Sequence, residues 1–143
     1  MTLVIDETVE IDAPAAKVWQ VLTDFAHYGE WNTFCYEAAS TLVPGEPIDM
    51  MVNLGGNKRA QREWIRTHTP GVEFSYTMKP VPLGALHSLR SHTVVPLGED
   101  RCRYESRFTL AGWLSPVVTL ALGKHLSAGF NAMTAGVAAR AGS

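Results

Sequence analysis

Between residues 35 and 110 the chain is broken by turn signals at short intervals: Val43-Pro-Gly-Glu-Pro47, Leu54-Gly-Gly-Asn57, Thr69-Pro-Gly71, Pro80-Val-Pro-Leu-Gly84 and Leu97-Gly-Glu-Asp100. No other feature restricts the fold as tightly. Connections of two to five residues join antiparallel neighbours, whereas a parallel pair needs a crossover of a dozen residues or more. The six segments so delimited form an antiparallel meander. In three of them apolar residues recur at every second position: Ile48, Met50, Val52 and Leu54; Val72, Phe74, Tyr76 and Met78; and Cys102, Tyr104, Phe108 and Leu110, with Ser106 among them. Such alternation marks strands with one face indoors. The segments at 58–68 and 86–95 alternate less cleanly, mixing Trp64, Arg66, His87, Arg90 and His92 with apolar residues, and their facing stays open.

The flanks carry different signals. Residues 3–11 are rich in β-branched side chains and read as a first strand, which Asp12-Ala-Pro14 stops. Proline suits a helix's first position because its missing N–H has no partner there anyway, so a helix is expected from Pro14 to about Leu22. Its apolar positions Val18, Val21, Leu22 and Phe25 follow the helical spacing i, i+3, i+4, i+7. Thr23-Asp24 caps a second short helical turn, and His27 to Asn32 reads as a loop. After Gly112 the stripe Leu114, Val118, Leu122, Leu126, Phe130, Met133 and Val137 predicts one long amphipathic helix, with Pro116 in its first turn and Gly123, Gly129 and Gly136 as points of bending or close packing.

Composition bounds the remaining possibilities. With 143 residues a single domain spanning 1–143 is expected. Twelve Lys and Arg against 14 Asp and Glu leave no basic excess for phosphate backbones, so nucleic acid is not an expected partner. The N-terminus lacks a cationic stretch followed by a long apolar run, which places the expected protein in the cytoplasm. The apolar run Leu114 to Leu122 is too short for stable membrane insertion, which needs about 20 residues. Cys35 and Cys102 stand far apart without a CxxC or a Cys/His neighbour, so they read as buried thiols and no metal site is signalled.

The order strand, two short helices, meander and long helix describes an α+β chain with about seven antiparallel strands in a curved sheet around its C-terminal helix: a helix-grip plan. The segment Ala13-Pro-Ala-Ala-Lys-Val-Trp-Gln-Val-Leu-Thr-Asp-Phe25, then Tyr28-Gly-Glu-Trp-Asn32, and later Phe108-Thr-Leu-Ala-Gly112 leading into the long helix, resembles the SRPBCC superfamily over nearly the whole chain. That superfamily groups START lipid-transfer domains, birch-pollen-allergen-like proteins and polyketide cyclase/dehydrase-like proteins, the last being the branch this chain looks like. The resemblance implies an elongated pocket between sheet and helix for lipids, sterols, polyketides or similar molecules. It implies no cofactor.

Within that plan the ligand-binding candidates are Trp31 and Phe34 at the cavity entrance, Met50, Val52, Phe130 and Met133 as apolar walls, and Trp64, Tyr76, Tyr104 and Phe108 as inward aromatic groups. Each also fits plain core packing. Arg90 and His92 share a strand face by period two and are the conditional catalytic pair: inward, the guanidinium polarises a carbonyl while the imidazole moves a proton; outward, both are solvated surface. Glu63, adjacent to Trp64, is expected on the other face, and His87 and His92 point apart. Neither a phosphate loop nor a nucleophile elbow is present. Function therefore reads first as binding or transport of a hydrophobic small molecule by a monomer or homodimer. A cyclase/dehydratase-type lyase without metal is the alternative, and a protein-interaction module the third.

Overall fold

A computed structural model describes residues 2–142. Strand β1 (Leu3–Ile11) is followed by helix α1 (Ala15–Thr23), a 3-10 turn at Phe25–Glu30, strands β2 (Cys35–Ser40), β3 (Pro47–Leu54), β4 (Asn57–Thr69), β5 (Glu73–Thr77), β6 (His87–Gly98) and β7 (Arg101–Ala111), and helix α2 (Ser115–Ala141). The strands form one antiparallel sheet in the order β1-β7-β6-β5-β4-β3-β2. Every neighbour from β2 to β7 is a meander partner, as the turn spacing requires, and β1 closes the far edge against β7 with Ile5 opposite Phe108 and Ile11 opposite Cys102. The sheet curves around α2, and α1 with the 3-10 turn covers one end. This is the helix-grip arrangement.

Pro14 sits just outside α1, with extended backbone, and its carbonyl receives the amides of Lys17 and Val18 at 3.0 and 3.3 Å. Proline thus ends β1 and starts the helix one residue later than expected. Val18 and Leu22 are fully buried, each contributing about 1.5–3 kcal/mol of transfer free energy. The segment expected as a loop is instead partly helical: Phe25–Glu30 forms the 3-10 turn. Its aromatic residues Phe25, Tyr28 and Trp31 lie three apart, the period at which 3-10 side chains eclipse. Tyr28 packs edge-on against both others at 5.3 and 5.0 Å, and its hydroxyl donates to the Leu22 carbonyl. The second short helical turn expected after Thr23-Asp24 is thus present, and it extends into the stretch read as a loop.

Helix α2 is packed unevenly. Its C-terminal half buries Phe130, Met133, Thr134, Val137 and Ala141, whereas Val118, Leu122 and Leu126 of its first half are only half-buried. The core is therefore dense near α1, where Val18, Leu22, Phe74, Cys102 and Tyr104 meet Val137, and hollow near the start of α2. The three helical glycines divide accordingly. Gly129 lies against the Phe34 ring and Gly136 against Trp31, while Gly123 has only ordinary contact with Thr119.

Candidate functional site

The hollow end holds a cavity of about 320 Å³ between α2 and the concave face of the sheet. Val118, Leu122 and Leu126 of α2 form its roof, Met50 and Val52 of β3 and Phe108 of β7 its floor, and Phe34, Phe130 and Met133 its inner end. Phe34 is aimed there by a local device: the buried Asn32 side-chain oxygen accepts the amides of Phe34 and Cys35 at 3.1 and 2.9 Å, turning the chain into β2. Its ring then meets Phe130 edge-on at 5.1 Å. Of the residues expected to bind ligand, Phe34, Met50, Val52, Tyr76, Phe108, Phe130 and Met133 lie on this wall.

Three expected residues lie elsewhere. Trp31 packs on Tyr28 and against Gly136 of α2, plugging the closed end, beside a shallow surface depression that also holds Lys17, Asp24 and Arg140. Tyr104 is wholly buried behind the wall. Trp64 and Glu63 are exchanged relative to expectation. Residues directly opposite in an antiparallel ladder share a face. Glu63 pairs with inward Ile48 and Gln61 with inward Met50, so both line the cavity; Trp64 pairs with Pro47 and Thr77 and lies on the other face. The strand has no bulge before Ile65, so its parity follows from this register.

Strand β6 turns its polar residues inward. Ser88, Arg90, His92 and Val94 are buried, while Leu89 is exposed. The solvent-facing alternative for Arg90 and His92 is thus overturned, because the ladder places Arg90 opposite Phe108 and His92 opposite Ser106, both on the inner face. Arg90 is 3% exposed and lines the cavity. One terminal nitrogen donates to the Ser106 hydroxyl, the other reaches the Met133 sulfur at 3.7 Å, and the guanidinium stands 4.3 Å from the Phe130 ring centre. None of the ion pairs among the described residues includes it. A guanidinium has five N–H donors, so this one faces the cavity with unspent hydrogen-bonding capacity and no carboxylate held against it.

His92 is fully buried one step behind that wall. Its Nε2 lies 3.3 Å from the Tyr76 hydroxyl and its Nδ1 2.6 Å from the Tyr104 hydroxyl, with the Phe74 ring stacked at 4.8 Å. Burial, and then the Arg90 charge, hold its pKa well below the ordinary value of 6.5, so the ring is neutral. Tyr76 is the member of this chain that reaches the cavity, and burial raises its phenol pKa. On the opposite wall burial raises the Glu63 carboxyl, which a hydrogen bond from Gln61 at 3.2 Å and the Arg90 charge partly offset. Cys35, also on the wall, is pushed up to about 12 by burial and stays a thiol. Among the described residues no cluster of three or more His, Cys, Asp or Glu is arranged to hold a metal ion. The site therefore offers an apolar chamber, one buried cation with the exposed Arg59 also on its lining, one half-buried carboxyl and a phenol backed by a neutral imidazole.

Sequence reasoning missed Arg59, Gln61, Glu63, Ser88 and the upper roof. The helical stripe already named Val118, Leu122 and Leu126, but nothing in it separates cavity roof from core. For β4 the inverted parity was recoverable from pairing with the cleanly alternating β3.

Solved structures of several proteins share this fold. A START superfamily protein from Mycobacterium smegmatis superimposes with a TM-score of 0.74 at 16% identity, covering 96% of each chain. Norcoclaurine synthase from Thalictrum flavum, solved in complex with dopamine and hydroxybenzaldehyde, gives 0.71 at 17% identity over 97% of this chain and 86% of that one. The ZhuI aromatase/cyclase from Streptomyces sp. R1128 gives 0.70 at 14% identity over 96% and 94%. At such identities the likeness concerns the fold. No curated protein matches the sequence. The family model described as polyketide cyclase / dehydrase and lipid transport matches residues 2–142, and the chain belongs to that family.

Proposed function

We propose that the protein binds a hydrophobic small molecule carrying a carbonyl or carboxylate oxygen, with the apolar body under α2 and the oxygen on Arg90. The observation that carries this reading is the Arg90 guanidinium: 3% exposed, on the cavity wall, and without an ion-pair partner among the described residues. A buried charge is costly unless something compensates it, and a ligand oxygen in an otherwise apolar chamber supplies that compensation. The lipid-transport half of the family description and the START superfamily likeness agree with a carrier. The test is a binding series of matched ligands, long-chain or polycyclic, with and without a carboxylate or carbonyl. Wild type is expected to prefer the oxygenated member by at least about tenfold, the weight of one charge-assisted hydrogen bond, and Arg90→Met to lose that preference. Equal affinity for both members, or native mass spectrometry and displacement assays finding no hydrophobe bound, rejects the reading.

A second reading is supported by a specific observation, the presence of Glu63 on the same wall system as Arg90 and Tyr76. A carboxyl with raised pKa removes or returns a proton, a guanidinium stabilises the enolate oxygen that results, and a phenol donates: the set suits aldol cyclisation or dehydration of a poly-carbonyl substrate. The cyclase/dehydrase half of the family description and the aromatase/cyclase and norcoclaurine synthase likenesses point the same way. If turnover exists, Glu63→Gln abolishes it while leaving ligand affinity within about threefold, since the amide keeps size and polarity. Unchanged turnover in that variant removes Glu63 from the chemistry.

A further inference from the structure

We infer that the open end of the cavity docks onto the surface of an anionic lipid bilayer. The inference goes beyond ligand binding and does not require it. Helix α2 is apolar on two faces over its first turns: Val118 and Leu122 point into the cavity, while Val117 and Leu120 on the outer face are 62% and 91% exposed. Lys124 is the first charged residue of the helix. A helix that is apolar all round is ordinarily buried in a protein core or in lipid, and here nothing among the described residues covers the outer face. The loop between β5 and β6 adds to the same surface. Leu83 is 91% exposed, in a left-handed backbone conformation (φ 64°) that costs a leucine free energy, and its carbonyl accepts the indole N–H of Trp113, itself 63% exposed, at 3.1 Å. Leu83, Trp113, Val117 and Leu120 thus form one projecting apolar rim beside the roof of the cavity. Indole at such a rim suits the headgroup level of a bilayer.

Charge selects the occupant. The β3–β4 hairpin (54–59), the β5–β6 loop (78–86) and the start of α2 (113–125), which surround the open end, contain no Asp or Glu. Exposed Lys58, Arg59, Lys79 and Lys124 stand in those segments with no carboxylate among them. With a net charge of −2 for the chain, removing these four cations leaves −6 on the remainder. The surface around the open end is therefore apolar and cationic. That is the arrangement that attracts a peripheral protein to anionic lipid in one orientation.

The test is co-sedimentation of the full chain with phosphatidylcholine vesicles, with and without phosphatidylglycerol. Wild type is expected to partition onto the anionic vesicles, less so as salt rises. Leu83→Asp with Leu120→Asp lowers partitioning by at least about tenfold, because two apolar anchors are replaced by charges. Lys58→Glu with Lys124→Glu removes the preference for anionic lipid. Val72→Asp with Leu97→Asp, both at the opposite end of the sheet, leaves partitioning unchanged and controls for the general effect of added charge. Circular dichroism confirms that each variant folds, and soluble-ligand binding by the Leu83/Leu120 variant, measured without vesicles, is expected to match wild type. The inference is overturned if wild type and the Leu83/Leu120 variant sediment alike. It is equally overturned if light scattering shows a wild-type dimer that this variant dissociates, because the rim is then covered by a second copy.

Discussion

His92 shows how one buried side chain ties the site to stability. Its two ring nitrogens are shared between the hydroxyls of Tyr76 and Tyr104, and the ring is held neutral by burial and by Arg90. In the unfolded chain the same imidazole titrates near 6.5. Below that pH the unfolded state binds a proton that the folded state refuses, so stability is present at neutral pH and is lost as pH falls. The slope for one such group is up to about 1.4 kcal/mol per pH unit below about pH 6. His27 opposes this, because Asp24 raises its pKa, so the comparison is made between wild type and His92→Phe. Urea titrations across pH are expected to show wild type losing stability on acidification and His92→Phe, already destabilised by two orphaned hydroxyls, losing less. Parallel slopes in the two proteins reject the buried neutral state. The sequence gives period-two kinship of Arg90 and His92 but not their facing, since a polar pair on a strand is compatible with either side until the register is known.

At the scale of elements, what was legible depended on how cleanly apolar residues kept a single period. Strands β3 and β7 keep the alternation apart from Met51 and Ser106 and stand where it places them; the α2 stripe locates its helix. β6 inverts the rule, with Ser88, Arg90 and His92 inside and Leu89 outside, because a ligand chamber needs polar atoms where a core would have methyls. In α2 the glycines separate two physical roles. Gly123 meets only the Thr119 methyl at 3.4 Å, so Gly123→Ala is expected to raise stability by about 0.5–1 kcal/mol through helix propensity. A Cβ at Gly136 would lie 2.9 Å from both the Trp31 ring and the Trp31 carbonyl oxygen, and a carbonyl fixed in the backbone cannot step aside. Gly136→Ala is therefore expected to lose about 1–3 kcal/mol by overpacking despite the same propensity gain. Thermal melts of the two variants should move in opposite directions, and a common direction would mean that contact with Trp31 does not decide the outcome.

For the whole molecule the governing fact is that one end is filled and the other hollow. The filled end, where α1 and the 3-10 turn cap the sheet over Val137, supplies the cohesion that lets the first half of α2 stand off from the sheet. The hollow end then contains what a folding protein ordinarily avoids, a buried cation with no carboxylate at ion-pair distance. Its interactions with Ser106, Met133 and the Phe130 ring repay part of the desolvation, but a buried charge is commonly no more stable than an apolar side chain of similar volume. Met fits the volume and adapts to irregular space. Arg90→Met is accordingly expected to be at least as stable as wild type, by about 1–3 kcal/mol in the ligand-free protein, read as a higher urea midpoint at unchanged m-value. The same variant should no longer prefer oxygenated ligands, so that stability and binding move in opposite directions through a single side chain. A loss of stability above about 1 kcal/mol in ligand-free Arg90→Met would instead mean that the guanidinium is a structural member, compensated within the protein and not held for a ligand.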